Sequence, residues 1–180
     1  MTIGWRLICV LGMANLPGAG VAEAQSMQPT DCASLSIHLA GIPEAAGARC
    51  RGDERQWNEL IDASGPDRSF VIRHQASGFS DYLQREEVTQ LVKKLTAVAK
   101  LDGVSQRFKI GHFDVALYMA AANELARSAA CFGFVSYAGH VPQTTGYRHA
   151  IIGSYCDLTG KEPSLDRIRE ILGAIDADFW

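Results

Sequence analysis

The residues best suited to chemistry in this chain are its five histidines, His38, His74, His112, His140 and His149. His112 and Asp114 form an H-x-D pair that one face of a strand would present together. His149 would project from a second strand. A neutral imidazole beside a carboxylate can ligate a metal or accept a proton. His112, Asp114 and His149 are therefore the candidate metal-ligating set, and they support one functional reading, a small metal-dependent hydrolase. No spacing in the sequence requires the three to converge.

A second candidate is the segment Gly139–Gly146 with Tyr137, Tyr147 and Arg148 at its base. Tyr137, His140, Tyr147 and Arg148 would place aromatic bodies, hydroxyls and a cation on a rigid stem, the composition that binding surfaces favour. The usual catalytic signatures are missing: no G-x-S-x-G elbow, S-x-x-K pair, H-E-x-x-H or C-x-x-C-H occurs. No cofactor is implied. The net charge of −3 and the lack of a basic cluster beyond Lys93-Lys94 argue against a nucleic-acid surface.

The first 24 residues predict the compartment. Arg6, an apolar run from Leu7 and the Ala22-Glu23-Ala24 ending have the order of a secretory signal peptide, cut after Ala24. Residues 25–180 then form one domain, and the chain as a whole, 47% apolar and 21% charged, has a composition typical of globular proteins. That domain keeps Cys32, Cys50, Cys131 and Cys156. An even cysteine count in an exported chain implies two disulfides. Loop entropy alone does not select the pairing, but the hairpin described next favours Cys32–Cys50 with Cys131–Cys156.

The elements that position these groups follow from periodicity. Residues 130–137 and 147–155 are β-rich runs joined by a Gly- and Pro-containing loop, which predicts an antiparallel hairpin. If Cys131 faces Cys156, Tyr137 faces Ala150. Ser69–Gln75 reads as another strand. Asp53 reads as the cap of a helix through Ala63, with Trp57, Leu60 and Ile61 at helical spacing. Ser34–Leu39 reads as a helical turn. Leu83, Val88, Leu91, Val92, Leu95 and Val98 predict a helix over 80–101, stopped by Gly103. Residues 108–127 fit both a strand and a helix, and the alanine run 120–122 favours a helix over about 113–128. Leu165–Ile175 reads as a final amphipathic helix. Phe179 and Trp180 are expected to fold back on the core beside it, with capture by a partner that reads C-termini as the alternative.

The expected fold class is α+β: a small antiparallel sheet with a C-terminal hairpin, packed on two or three amphipathic helices and braced by two disulfides. The expected function is that of an exported, periplasmic, non-enzymatic binding or accessory protein acting through the hairpin tip. Its partner would be another periplasmic or envelope protein, with no nucleic acid and no transmembrane segment in the mature chain.

Overall fold

The computed structural model describes residues 27–95, 100–121, 128–142 and 144–180. The expected signal peptide lies outside them. Eight strands form one antiparallel sheet: β1 (Gln28–Thr30), β3 (Arg49–Gly52), β4 (Asn58–Asp62), β5 (Arg68–Ala76), β6 (Lys100–Ile110), β7 (Phe113–Ala121), β8 (Ser128–His140) and β9 (Tyr147–Asp157). Their spatial order is β1-β3-β4-β5-β9-β8-β7-β6, with β9 paired to both β5 and β8. A separate two-stranded ribbon joins β2 (Ile37–Leu39) to β10 (Ile175–Ala177). One helix covers each face. Helix α1 (Val88–Leu95) lies on the face of Ala116, Val135, Ala150 and Ile152. Helix α2 (Leu165–Gly173) lies on the opposite face, over Phe70, Ile72, Phe132, Phe134 and Ile151.

This architecture overturns the expected α+β class. The sheet is the body of the molecule, and the helices are short covers. Residues 53–63 are the first correction. Asp53 does cap, but it caps a turn: its carboxylate accepts from the N–H of Trp57 at 2.8 Å and of Arg55 at 3.2 Å, closing the β3–β4 connection. The strand alternation in β4 was hidden because its buried face reads Glu59 and Ile61, continued by Ala63 just after the strand, with a carboxylate in an apolar position.

The predicted 80–101 helix survives only as α1. Leu83 instead exchanges backbone hydrogen bonds with Tyr147, at 2.8 and 2.9 Å, and by Lys100 the chain is a strand. Val98 lies outside the described residues. Gly103 has the expected positive φ of 77°, used in β6 at a register shift between Asp102 and Val104. Residues 113–121 are strand, since β7 pairs with β6 on one side and β8 on the other, and Phe113 and Val115 on one face and Ala116 and Tyr118 on the other are buried. Tertiary pairing overrides the helix propensity of its alanines. Residues 122–127, which the helix was also to include, lie outside the described residues. Ser34–Leu39 holds part of a 3₁₀ turn, Cys32–Ser34, followed by β2, and α2 ends two residues before Ile175.

The hairpin stands as read from the sequence. Cys131 faces Cys156 and Tyr137 faces Ala150. Both local disulfides are present, Cys32–Cys50 and Cys131–Cys156, with Cα–Cα distances of 5.1 and 4.1 Å. Among the described residues, no helix is long and apolar enough to cross a membrane.

Candidate functional site

Tyr137, on the α1 face of β8, and Tyr147, at the start of β9 beyond the positive-φ Gly139, meet beside the segment that precedes α1. Their rings lie 5.0 Å apart, and His140 meets Tyr147 edge-on at 5.8 Å. The Tyr137 hydroxyl accepts from the Glu86 N–H at 2.9 Å. Arg148 donates from its guanidinium to the carbonyls of Gly78 at 2.5 Å, Asp81 at 2.9 Å and Phe79 at 3.3 Å. Three of the four expected binding residues, Tyr137, Tyr147 and Arg148, thus staple residues 78–87 over the sheet.

The stapled loop carries what the sequence reading passed over. Phe79 is fully exposed, at 102% of its reference area, and Tyr82 and Trp57 are 42% and 40% exposed. Trp57 lies against this loop, with its ring 3.5 Å from where a Cβ on Gly78 would stand. The Tyr82 side chain lies over Gly146, where a Cβ would come within 2.0 Å of it. Large aromatics in water forgo roughly 1.5–3 kcal/mol of burial each. Here that surface is held in place by a charge-assisted network.

The opposite face holds a line of polar groups across three strands. Glu59 on β4 faces His74 on β5, and both are buried, at 0% and 2% exposure. His74 Nδ1 lies 2.9 Å from Glu59 Oε2, and His74 Nε2 lies 3.2 Å from Nδ1 of His149 on β9. Ser36 completes the carboxylate, donating from its N–H at 2.8 Å and its hydroxyl at 3.0 Å to Glu59 Oε1. Burial alone would raise the Glu59 carboxyl. The bonds from His74 and Ser36 outweigh it and hold the group below the usual carboxylate range. His149 is pushed down by burial, then by the nearby His74 and Arg148.

With both imidazoles neutral, a proton on each Nδ1 satisfies both contacts. His74 donates to Glu59, His149 donates to His74, and the lone pair of His149 Nε2 is left at the outer end. The two ring centroids are 5.4 Å apart with only 17° between planes, so the rings meet edge to edge. Phe179 lies nearly parallel to both, 4.6 Å from His74 and 4.3 Å from His149. Trp180 packs on His112 and Phe113. The C-terminal aromatics therefore do fold back on the core.

His112, Asp114 and His149 are not brought together. Asp114 points to the α1 face, where it pairs with Arg85 and with Lys109 at 3.0 Å. His149 lies on the other face, and His112 sits at the β6–β7 turn against Trp180. Among the described residues no group of three or more His, Cys, Asp and Glu side chains is placed to hold a metal. A groove of about 560 Å³ beside Asp114 is lined by Arg85, Glu86, Glu87, Arg107 and Lys109, ionic groups that largely pair with one another.

Glu59, His74 and Phe179 were missed as a unit. One signal was available: His74 shares the alternating face of Phe70 and Ile72, a place where a histidine needs a partner. Comparison with protein-family models, curated proteins and solved structures finds no match to this chain.

Proposed function

We propose that this chain is an exported binding or accessory protein of the cell envelope, without catalytic activity of its own, that engages another envelope protein through the surface built on the β8–β9 hairpin stem. The observation that carries this reading is Phe79, fully exposed on a loop that Arg148 holds by three carbonyl contacts. The backbone that carries this aromatic is already held, so little loop freedom remains to be lost when a partner buries the ring. Tyr82 and Trp57 extend the patch, and Arg55 lies 5.0 Å over the Trp57 ring. Tyr137, Tyr147 and Arg148 support this surface from beneath, and His140 lies at its edge. The two disulfides are consistent with an oxidising compartment.

The test is site-specific photocrosslinking in the envelope of the source cells, with a photoreactive phenylalanine at position 79 and a control at Leu158, at the far end of β9. A discrete adduct from position 79 that is absent from 158, and lost in Tyr82→Ser, is the expected result. Adducts identical from both positions, or none from 79, overturn the proposal.

A further inference from the structure

The Glu59–His74–His149 line has the parts of a cation site that no part of the proposed binding surface uses. Glu59 sets the His74 tautomer by accepting from Nδ1, which leaves Nε2 as a lone pair directed at His149. A carboxylate that orients an imidazole through its far nitrogen is the usual support of a metal-binding histidine. The facing nitrogens are 3.2 Å apart and the rings share a plane, so the two lone-pair directions run along one line. That geometry suits two-coordinate, linear binding. It does not suit a tetrahedral ion, and the described residues offer no third ligand.

Charge points the same way. Glu59 is fully buried and its nearest charge partner is an imidazole, so the pocket can be neutralised by one positive charge. A divalent ion would leave a net charge in an apolar setting, at a cost of several kcal/mol. Phe179 lies parallel to both rings, its π-face toward the space between them. A ring face attracts a cation placed against it.

We propose that His74 Nε2 and His149 Nδ1 bind one soft monovalent d10 cation in line, Cu⁺ in the cell, for which Ag⁺ is the redox-inert probe. On binding, the His149 proton moves from Nδ1 to Nε2, so no proton is released and no electron is transferred. With metal–nitrogen bonds of about 2 Å, the facing nitrogens separate to about 4 Å. His149, only partly buried, supplies that movement.

The test is titration of the disulfide-intact protein with silver nitrate in chloride-free buffer, followed by native mass spectrometry and long-range ¹H–¹⁵N spectra of the imidazoles. One Ag⁺ per chain is expected, with the His74 and His149 nitrogens shifted while those of His38, His112 and His140 stay in place. Glu59→Gln should weaken binding by roughly 10–100-fold, and His149→Phe, which removes one of the two ligands, should abolish it. The spectra of the unaltered protein decide the matter even if a variant fails to fold. Silver that leaves the His74 and His149 resonances unmoved overturns the proposal. So does an absence of bound silver, which would mean that only a proton occupies the line.

Discussion

His149, His112 and Glu59 each have a folded pKa displaced downward, and each makes stability fall on acidification. His149 has its folded pKa below the ordinary 6.5, so the unfolded chain takes up the proton first as pH falls. Stability is therefore at its full value above that pH and declines as the solution is acidified, until the folded imidazole itself titrates. His112, lowered by burial, acts with the same sign. Glu59 has the opposite chemistry and the same outcome: its carboxylate contribution is present above the ordinary 4.5 and is lost as pH falls through the lower folded value. Urea unfolding should show a loss of stability between about pH 7 and pH 5. His149→Phe should shrink that loss without abolishing it, and an unchanged pH slope would assign the loss to other groups.

At the scale of elements, packing is very close where β9 passes under the aromatic core. Gly153 lies below Phe134, a fully buried ring, and a Cβ there would come within 2.0 Å of it. Phe134 is itself held by Phe113 at 5.5 Å and Phe132 at 6.0 Å, so it cannot turn aside. Gly153→Ala should destabilise the protein by about 1–3 kcal/mol or more. Gly52→Ala, whose Cβ would find its nearest neighbour at an ordinary 3.6 Å, should change stability by less than about 0.5 kcal/mol. Parallel thermal melts would separate the two, and equal melting temperatures would contradict the packing argument.

Across the whole molecule, the disulfides brace different places in the sheet order. Cys131–Cys156 joins β8 and β9 in the interior of the sheet, while Cys32–Cys50 ties the turn before β2 to β3, near one edge. In the chain-entropy model each contributes roughly 3 kcal/mol. Their removal should nevertheless look different. The pair Cys32→Ala, Cys50→Ala should raise amide exchange mainly across residues 28–52. The pair Cys131→Ala, Cys156→Ala should lower protection throughout the sheet. Hydrogen exchange followed by mass spectrometry checks this, and matching exchange maps would show that the sheet opens only as one unit.

What was legible in the sequence was local. The β8–β9 hairpin, its register and the disulfide pairing followed from two β-rich runs and the two cysteines that bound them. β5 followed from a run of β-forming residues bounded by turn residues, α1 in part from its apolar stripe, and the return of Phe179 and Trp180 from their size and apolar character. The sheet's extent was not legible. β4 carries Glu59 on its buried face, and β7 runs into alanines, so each reads as helix until a neighbouring strand is present. The candidate sites divide in the same way. Tyr137, His140, Tyr147 and Arg148 were identifiable as a cluster because hairpin pairing is short-range. Their support of Phe79 depends on a loop reached through Leu83 and Tyr147. By itself the sequence determined the turns, the hairpin and the cross-links, because those are set by residues close along the chain or paired in one register. Only the tertiary structure decided that Glu59, His74, His149 and Phe179 meet, since strands β4, β5 and β9 and the C-terminus are brought together by sheet order, which no local pattern encodes.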